Sequence, residues 1–446
     1  MDLAIPKATF KSSMILFMIG LFGYFCRFSF NLLLAKHTST AFYGDFSVAY
    51  SVFTVVSASM LFGTATSSVR FFSTYLKKDL PDIASKYITW NLRILIITSI
   101  IFLLLLSIMT TTILGLHLFN IHNIREYHLV IYFLWLTPIG ALALLLATYL
   151  LCDRNIYLGT LFNTAGFHFF GFMMLIPMIY LLHVQFRSET LWLLLLCIVV
   201  TLSIFLSLIL FFRMRHILKK SVLQIFKVGN RDKLYEREWL GVSSRLILNQ
   251  LMFYLITALD IILLGLIGPN KESVGYYAVA ITITGITWTT QHCIYQFILP
   301  IISSHTDTDN GKRKLQHLVN KTQLVNIILN MVLISLIIIF TRPILGFFGS
   351  GYLAAKIPLW ILLVTAFIGL LSSAAPKLLA YSGNEKSLLR VSLFQIITIL
   401  ISGILLIPHF GAIGAALAAF TTWGVRTIAS LYFVRKKLHM KAAILF

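Results

Sequence analysis

Six basic side chains fall inside or at the edge of long apolar stretches: Arg27, Arg93, Arg245, Arg426, Arg70 and Lys377. A charge at mid-bilayer costs about 2.5–3.5 kcal/mol on insertion scales, so a chain that keeps one there normally turns it toward a cavity or a partner. Guanidinium forks hold phosphate oxygens through short, charge-assisted hydrogen bonds, and a low-dielectric cleft strengthens that attraction. The chemistry these residues suit is the binding of a compact anion. Arg27 sits about fifteen residues into the first stretch, too deep for easy snorkelling. Arg93, Arg245 and Arg426 stand some two turns inside the cytoplasmic ends of theirs, and Arg70 and Lys377 lie nearer the boundary. For these five the competing reading is plain topology, with the head snorkelling to the lipid headgroups.

Acids are scarce, 15 against 36 Lys and Arg, so two of them stand out. Asp45, at the outer end of the second stretch, and Asp260, in the outer part of the seventh, each suit a gate salt bridge or a coupling-cation site. A carboxylate before a first helical turn also caps free amides, which is the second reading of Asp45. His168, Asn31, Asn163, Asn249, Asn326, Gln291, Gln296 and Gln395 read as interhelical hydrogen bonds, some of them free to meet sugar hydroxyls. The GxxxxGK[ST], HExxH and GxSxG patterns are all missing, as are paired acids in an aqueous loop. No enzyme, catalytic residue, metal or cofactor is expected, and energy should come from a proton or sodium gradient, the membrane potential or substrate flow. Cys26, Cys152, Cys197 and Cys293 are widely spaced within apolar stretches and read as small buried residues.

The elements that must position these groups are membrane helices. Hydrophobic residues make up 59% of the 446-residue chain and charged residues 11%. Mean hydropathy is +0.90. One soluble core cannot hide that much apolar surface, so the solvent is lipid. Stretches long enough to cross the hydrocarbon fall near 12–35, 43–66, 85–116, 129–152, 158–182, 190–212, 240–267, 275–302, 319–341, 355–380, 387–408 and 411–434. The expectation is an all-α polytopic membrane protein of about twelve spans. The first span is long and interrupted by Arg27 and Asn31, unlike a cleavable signal peptide. Ile5 to Lys11 suggests a short interfacial segment.

The net charge of +21 is distributed along the chain as topology. With the N-terminus inside, cytoplasmic ends and loops collect most Lys and Arg, above all between Arg213 and Trp239, while the opposite side keeps few, such as Lys36, Arg125 and Lys271. Both termini should therefore be cytoplasmic, in a bacterial inner membrane, with anionic lipids as secondary contacts. Nucleic acid is excluded as a partner, because no basic face is interleaved with stacking aromatics.

The long basic loop suggests two six-helix lobes, 1–228 and 229–446, and an internal echo supports the division. Tyr43-Gly44-Asp45-Phe46 opens span two, and Val274-Gly275-Tyr276-Tyr277 opens span eight. Leu146-Ala147 through Ile176-Pro177 similarly echoes Leu379-Ala380 through Ile407-Pro408, each a helix, a short turn, a helix and an Ile-Pro stop. Copies separated by six spans share one orientation, which implies parallel repeats about an axis along the membrane normal and a path between the lobes.

In these same segments the chain resembles the multidrug/oligosaccharidyl-lipid/polysaccharide exporter superfamily, within it the polysaccharide flippases of O-antigen type. The likeness runs through Gly44-Asp45-Phe46-Ser47 and Arg70-Phe71-Phe72, then Asp260-Ile261-Ile262-Leu263-Leu264-Gly265. It continues through Phe348-Gly349-Ser350-Gly351-Tyr352, Tyr381-Ser382-Gly383-Asn384 and Ile407-Pro408-His409-Phe410-Gly411. The resemblance implies alternating access that moves a polyprenyl-pyrophosphate-linked oligosaccharide to the outer leaflet for surface polysaccharide or lipopolysaccharide assembly. It also implies an Asp45 able to pair with Arg27 and association with polysaccharide polymerase machinery. The end at Phe446, without two further helices, and the short outer loops fit the twelve-span branch better than the lipid II branch. Two other readings stand beside it: a multidrug or ion-coupled exporter of the same superfamily, which an acidic cavity would suit better, and a membrane glycan polymerase or ligase, which normally needs a large outer loop.

Overall fold

The computed structural model describes residues 7–118, 128–153, 156–225, 233–295 and 309–438, and every regular element among them is helical. Arg125, Arg154, Lys227, Arg231 and Gln296 lie outside the described residues. Among the described residues, seven helices are long and apolar enough to cross a membrane, or up to nine if each of two bent pairs is one span. Helix α12 (Lys271–Tyr295) is not among these: its charged first turn and its threonines dilute its hydropathy.

Local sequence explains most of the helix ends. Helix α4 (Pro81–Leu118) starts with proline in its first turn, where no amide is required, and Asp82 beside it faces the positive end of the helix dipole. Its middle turns outward a stripe of isoleucine and leucine, including Ile97, Ile101, Leu104 and Ile108, each more than half exposed. A soluble protein would hide such a stripe; in lipid it needs no cover. The span expected at 43–66 is a bent pair, α2 (Thr40–Met60) and α3 (Thr64–Lys77), with an angle of 49° between them. Gly63, at φ 76, makes the turn. The span expected at 240–267 is likewise broken, into α10 (Lys233–Ile256) and α11 (Leu259–Ile267).

The chain between these regions continues in order. Helix α5 (His128–Leu134) and α6 (Thr137–Cys152) precede α7 (Ile156–Leu161), a π-turn (Phe162–Gly166) and α8 (Phe167–Tyr180). Helix α9 (Ser188–Ile225) runs on past Arg213 through a kink at Met214, so the first part of the expected basic loop is helical. After α12 come α13 (Asp309–Ile339), α14 (Thr341–Phe348), a 3-10 turn (Ser350–Ala355), α15 (Lys356–Leu371), α16 (Ala375–Tyr381) and α17 (Glu385–Leu438). The two Ile-Pro pairs are not helix stops: α8 continues to Tyr180, and α17 turns three residues after Pro408, at Gly411 with φ 54. A proline leaves the turns after it intact, so the breaks fall later.

By contacts the chain forms two compact units, one continuous (Val48–Ala258) and one split (Met1–Ser47 with Leu259–Phe446). These boundaries do not coincide with 1–228 and 229–446. In the split unit α1 (Lys7–Lys36) packs on α12, and α15 and α11 pack on α17. In the continuous unit α4 and α6 pack on α9, and α10 packs on α3. Fully buried Trp239 anchors α10: its indole N–H donates to Tyr75 Oη at 2.9 Å, and its ring meets Tyr87 and Trp90. Nearby, Ser67 and Ser243 share a buried hydrogen bond of 2.7 Å, and Ser67 is also bonded to Tyr87 Oη at 2.8 Å.

Candidate functional site

Two of the expected cations meet in the split unit. Lys377, on the short helix α16, places Nζ 4.1 Å from the centre of the Tyr295 ring. Arg426, in the last part of α17, holds its guanidinium carbon 4.2 Å from the centre of the Trp423 ring. Trp423 in turn packs on Trp288 with ring centres 4.0 Å apart. Trp288, His292 and Tyr295 are spaced i, i+4 and i+7, so they share one face of α12. Each of His292, Lys377 and Arg426 lies within electrostatic reach of a neighbour in this set.

The packing beneath fixes the rings. Gly369 lies against Trp288, and a Cβ there would come within 2.7 Å of the indole. Tyr295 Oη is 2.8 Å from Ser373 Oγ, and Asn326 Nδ2 donates to the same hydroxyl at 3.4 Å. Among the described residues neither Lys377 nor Arg426 has a carboxylate partner. Aromatic faces attract a desolvated cation by about 2 kcal/mol or more, yet they leave its hydrogen-bond donors open. Two like charges held on aromatic faces present those donors to an anion, and a phosphate or pyrophosphate has the charge and the acceptors to meet both.

Arg27 lies apart from this pair. It is exposed on α1, without an ion pair among the described residues, and Tyr24 and Tyr43 lie within reach of its charge. Around it Asn31 Nδ2 donates to the Arg27 carbonyl at 2.8 Å, and Tyr43 Oη donates to Asn31 Oδ1 at 2.9 Å. The expected Arg27–Asp45 pair is replaced by another: Asp45 Oδ2 faces Lys271 Nζ at 3.6 Å, both side chains partly exposed. Nor does Asp45 cap a helix, since α2 begins five residues earlier at Thr40. Asp260 stands in the first turn of α11, where its carboxylate accepts the Ile261 amide at 2.8 Å and the Tyr277 hydroxyl at 2.7 Å.

Arg70, Arg93 and Arg245 belong to the continuous unit. Arg70 is exposed beside the Phe71 ring, Arg93 is half-buried, and Arg245 donates from Nε to the Gly241 carbonyl at 2.8 Å. The residues the sequence did not single out are aromatic: Trp288, Tyr295 and Trp423. Their signal was present as the i, i+4, i+7 spacing on α12, but aromatic residues at helical spacing usually mean packing.

No protein-family profile matches the chain, and no curated relative is found. Solved structures do match. One is an inward-facing multidrug resistance MATE family transporter of the MOP superfamily, with TM-score 0.71, 13% identity and coverage of 96% of this chain and 98% of that one. Another is the lipid II flippase MurJ in an inward closed conformation, with TM-score 0.68, 14% identity and coverage of 94% and 87%. A third is a MOP superfamily transporter from Pyrococcus furiosus, described as having a binding pocket of reverse polarity that suggests a different function; its TM-score is 0.59 at 13% identity, with coverage of 97% and 96%. These likenesses show the fold: an all-helical membrane architecture of the MATE and MurJ kind.

Proposed function

We propose that the chain is a transporter that moves a lipid-pyrophosphate-linked oligosaccharide from the cytoplasmic to the outer leaflet, for surface polysaccharide assembly of the O-antigen kind. The observation that carries this reading is the pair Lys377 and Arg426, seated on Tyr295 and Trp423 without a carboxylate partner among the described residues. Half-buried cations without a carboxylate favour an anion, and a pyrophosphate headgroup supplies one. Arg27, Arg93, Arg245 and Arg70 are further candidate contacts for the anionic headgroup, and Asp45 and Asp260 serve as gate or coupling groups. The transport cycle is alternating access in a twelve-span bundle whose six-helix lobes, 1–228 and 229–446, derive from the repeat. Both termini lie in the cytoplasm, and a proton or sodium gradient, or the membrane potential, drives the cycle. Partners are the polyprenyl-linked glycan, membrane lipids and the polysaccharide polymerase machinery.

The fold supports a transporter of this general kind, since its neighbours include a structure described as a lipid II flippase. Neighbours described as multidrug transporters favour a second reading, export of a small organic molecule. The sign of the charges inside the spans weighs against a cationic drug.

The test is the lipid-linked glycan pool in cells depleted of the protein. Accumulation of a polyprenyl-linked oligosaccharide on the cytoplasmic leaflet supports the flippase and names its cargo. An unchanged pool, with surface polysaccharide intact, removes this reading in favour of the exporter.

A further inference from the structure

The continuous unit holds a half-open pocket of about 170 Å³, whose lining includes none of the charged residues discussed above. Its walls carry aromatic rings: the Tyr50 and Phe167 ring centres lie 4.8 Å apart, and the His168 ring stands edge-on to both. Phe53 and Tyr254 add two more rings. The lining also holds small neutral hydrogen-bonding groups, Thr54, Ser57, Asn163 and Thr164. None of the lining residues is Asp, Glu, Lys or Arg.

Two features make this more than a packing gap. The π-turn Phe162–Gly166 carries Asn163 and Thr164, and a π-turn is a local distortion of the helical ladder that recurs at functional sites. Furthermore, the exposed Asn163 amide and the half-buried Tyr254 hydroxyl are bonded to no other described residue, so both are open to a guest in place of solvent. Gly140 keeps the wall in place, because a Cβ there would come within 2.4 Å of the Phe53 ring and 2.8 Å of Ser57 Oγ.

The size and chemistry of the cavity select its guest. Drug-sized sites run from about 300 to 1,000 Å³, so this one holds a single ring. Aromatic faces beside an amide and hydroxyls suit a neutral sugar ring, whose C–H face packs on the aromatics while its hydroxyls meet the polar wall. An aromatic box also suits an organic cation. Here the lining offers no carboxylate, and the same unit carries the cations Arg70, Arg93 and Arg245.

We infer that this cavity is a binding pocket for one neutral sugar ring, formed by Tyr50, Phe167, Asn163 and Tyr254. It deepens the flippase reading, on which it rests for the identity of the sugar as part of the cargo.

The experiment is saturation-transfer NMR on the full chain in nanodiscs, with the methyl glycosides of glucose, galactose and N-acetylglucosamine as probes. At least one glycoside should give a signal, lost in Ala147→Phe, which fills the cavity, and weakened at least fivefold in Asn163→Ala and in Tyr254→Phe. Thermal unfolding of each variant is measured alongside, and only variants within a few degrees of the wild type are compared. Asn163→Asp should exchange glycoside binding for benzyltrimethylammonium binding. Silence from all three glycosides, signals that survive Ala147→Phe, or displacement from the wild type by benzyltrimethylammonium would overturn the inference. In cells, lipid-linked glycan accumulating in the Asn163→Ala strain ties the pocket to the cargo; glycoside binding without accumulation assigns it to a free sugar. Glycan accumulation on depletion together with silent glycosides removes the pocket alone, and the converse pattern removes the flippase alone.

Discussion

Gly44 and Gly275, the second residues of two echoing segments, pack backbone against backbone within the split unit: a Cβ on Gly44 would come within 2.8 Å of the Gly275 nitrogen. From the other side, a Cβ on Gly275 would come within 2.1 Å of the Thr40 carbonyl. Helices approach this closely only where both contact residues lack a side chain. The first turns of α2 and α12 therefore meet at equivalent points of the sequence echo, with the Asp45–Lys271 pair beside them.

Gly44→Val and Gly275→Val should each separate these helices. Overpacking of this kind costs about 1–3 kcal/mol. Lower thermal stability and reduced transport are expected, with Gly275 the more sensitive because its nearest backbone obstacle, the Thr40 carbonyl, lies at 2.1 Å against 2.8 Å for Gly44. Unfolding in detergent, followed by intrinsic fluorescence, checks the order.

The Asp45–Lys271 pair is partly exposed, so its contribution to stability should be small, about 0–1 kcal/mol. Its effect is expected in the cycle instead. A double cysteine at these two positions, Asp45→Cys with Lys271→Cys, should stop transport when oxidised and release it under reductant. Full activity in the oxidised form would show that the crossing of α2 and α12 stays shut throughout.

Arg426→Ala and Lys377→Ala should each reduce transport at least tenfold while the protein remains inserted. Arg426→Lys should recover only part, since a lysine lacks the planar fork that lies over Trp423. Arg27→Ala should abolish function and Arg27→Lys partly restore it. Export of the glycan, normalised to membrane abundance, is the measurement, and wild-type rates for the alanine variants would remove those residues from the site.

Trp239→Ala should be the most damaging packing change in the continuous unit. It removes a fully buried indole, its bond to Tyr75 and its contacts with Tyr87 and Trp90, a loss of about 3–5 kcal/mol. Low abundance is expected. Ser243→Ala, which removes one hydroxyl from the buried Ser67 bond, should be milder, about 1 kcal/mol.

Helix type and the lipid environment were legible because length and apolarity alone decide them, as in α4 and α9. The breaks were not. Gly63 and Gly411 adopt positive φ, yet a glycine in an apolar run looks the same whether it lies inside a helix or at a turn. The π-turn at Asn163 left no mark in the hydrophobic pattern either. Among the site residues, each cation was visible singly as a charge in lipid, but its partner was not. Asp45 meets Lys271 instead of Arg27, and Lys377 and Arg426 come together through aromatics some 80 to 140 residues away along the chain or beside them in it. Such pairings depend on which helices are neighbours, and no local pattern encodes that.

The split unit has a consequence for biosynthesis. Helix α1 finds its packing partner in α12, which begins at Lys271, so the ribosome must add more than 200 residues before the first helix can dock. At roughly 5–20 residues per second, that is a wait of about 10–50 seconds in the membrane with Arg27 on a helix that lacks its main packing partner. In the continuous unit α4 and α6 meet their partner α9 sooner. Agents that shield single polar helices during insertion should therefore matter most for the N-terminal helix of this chain.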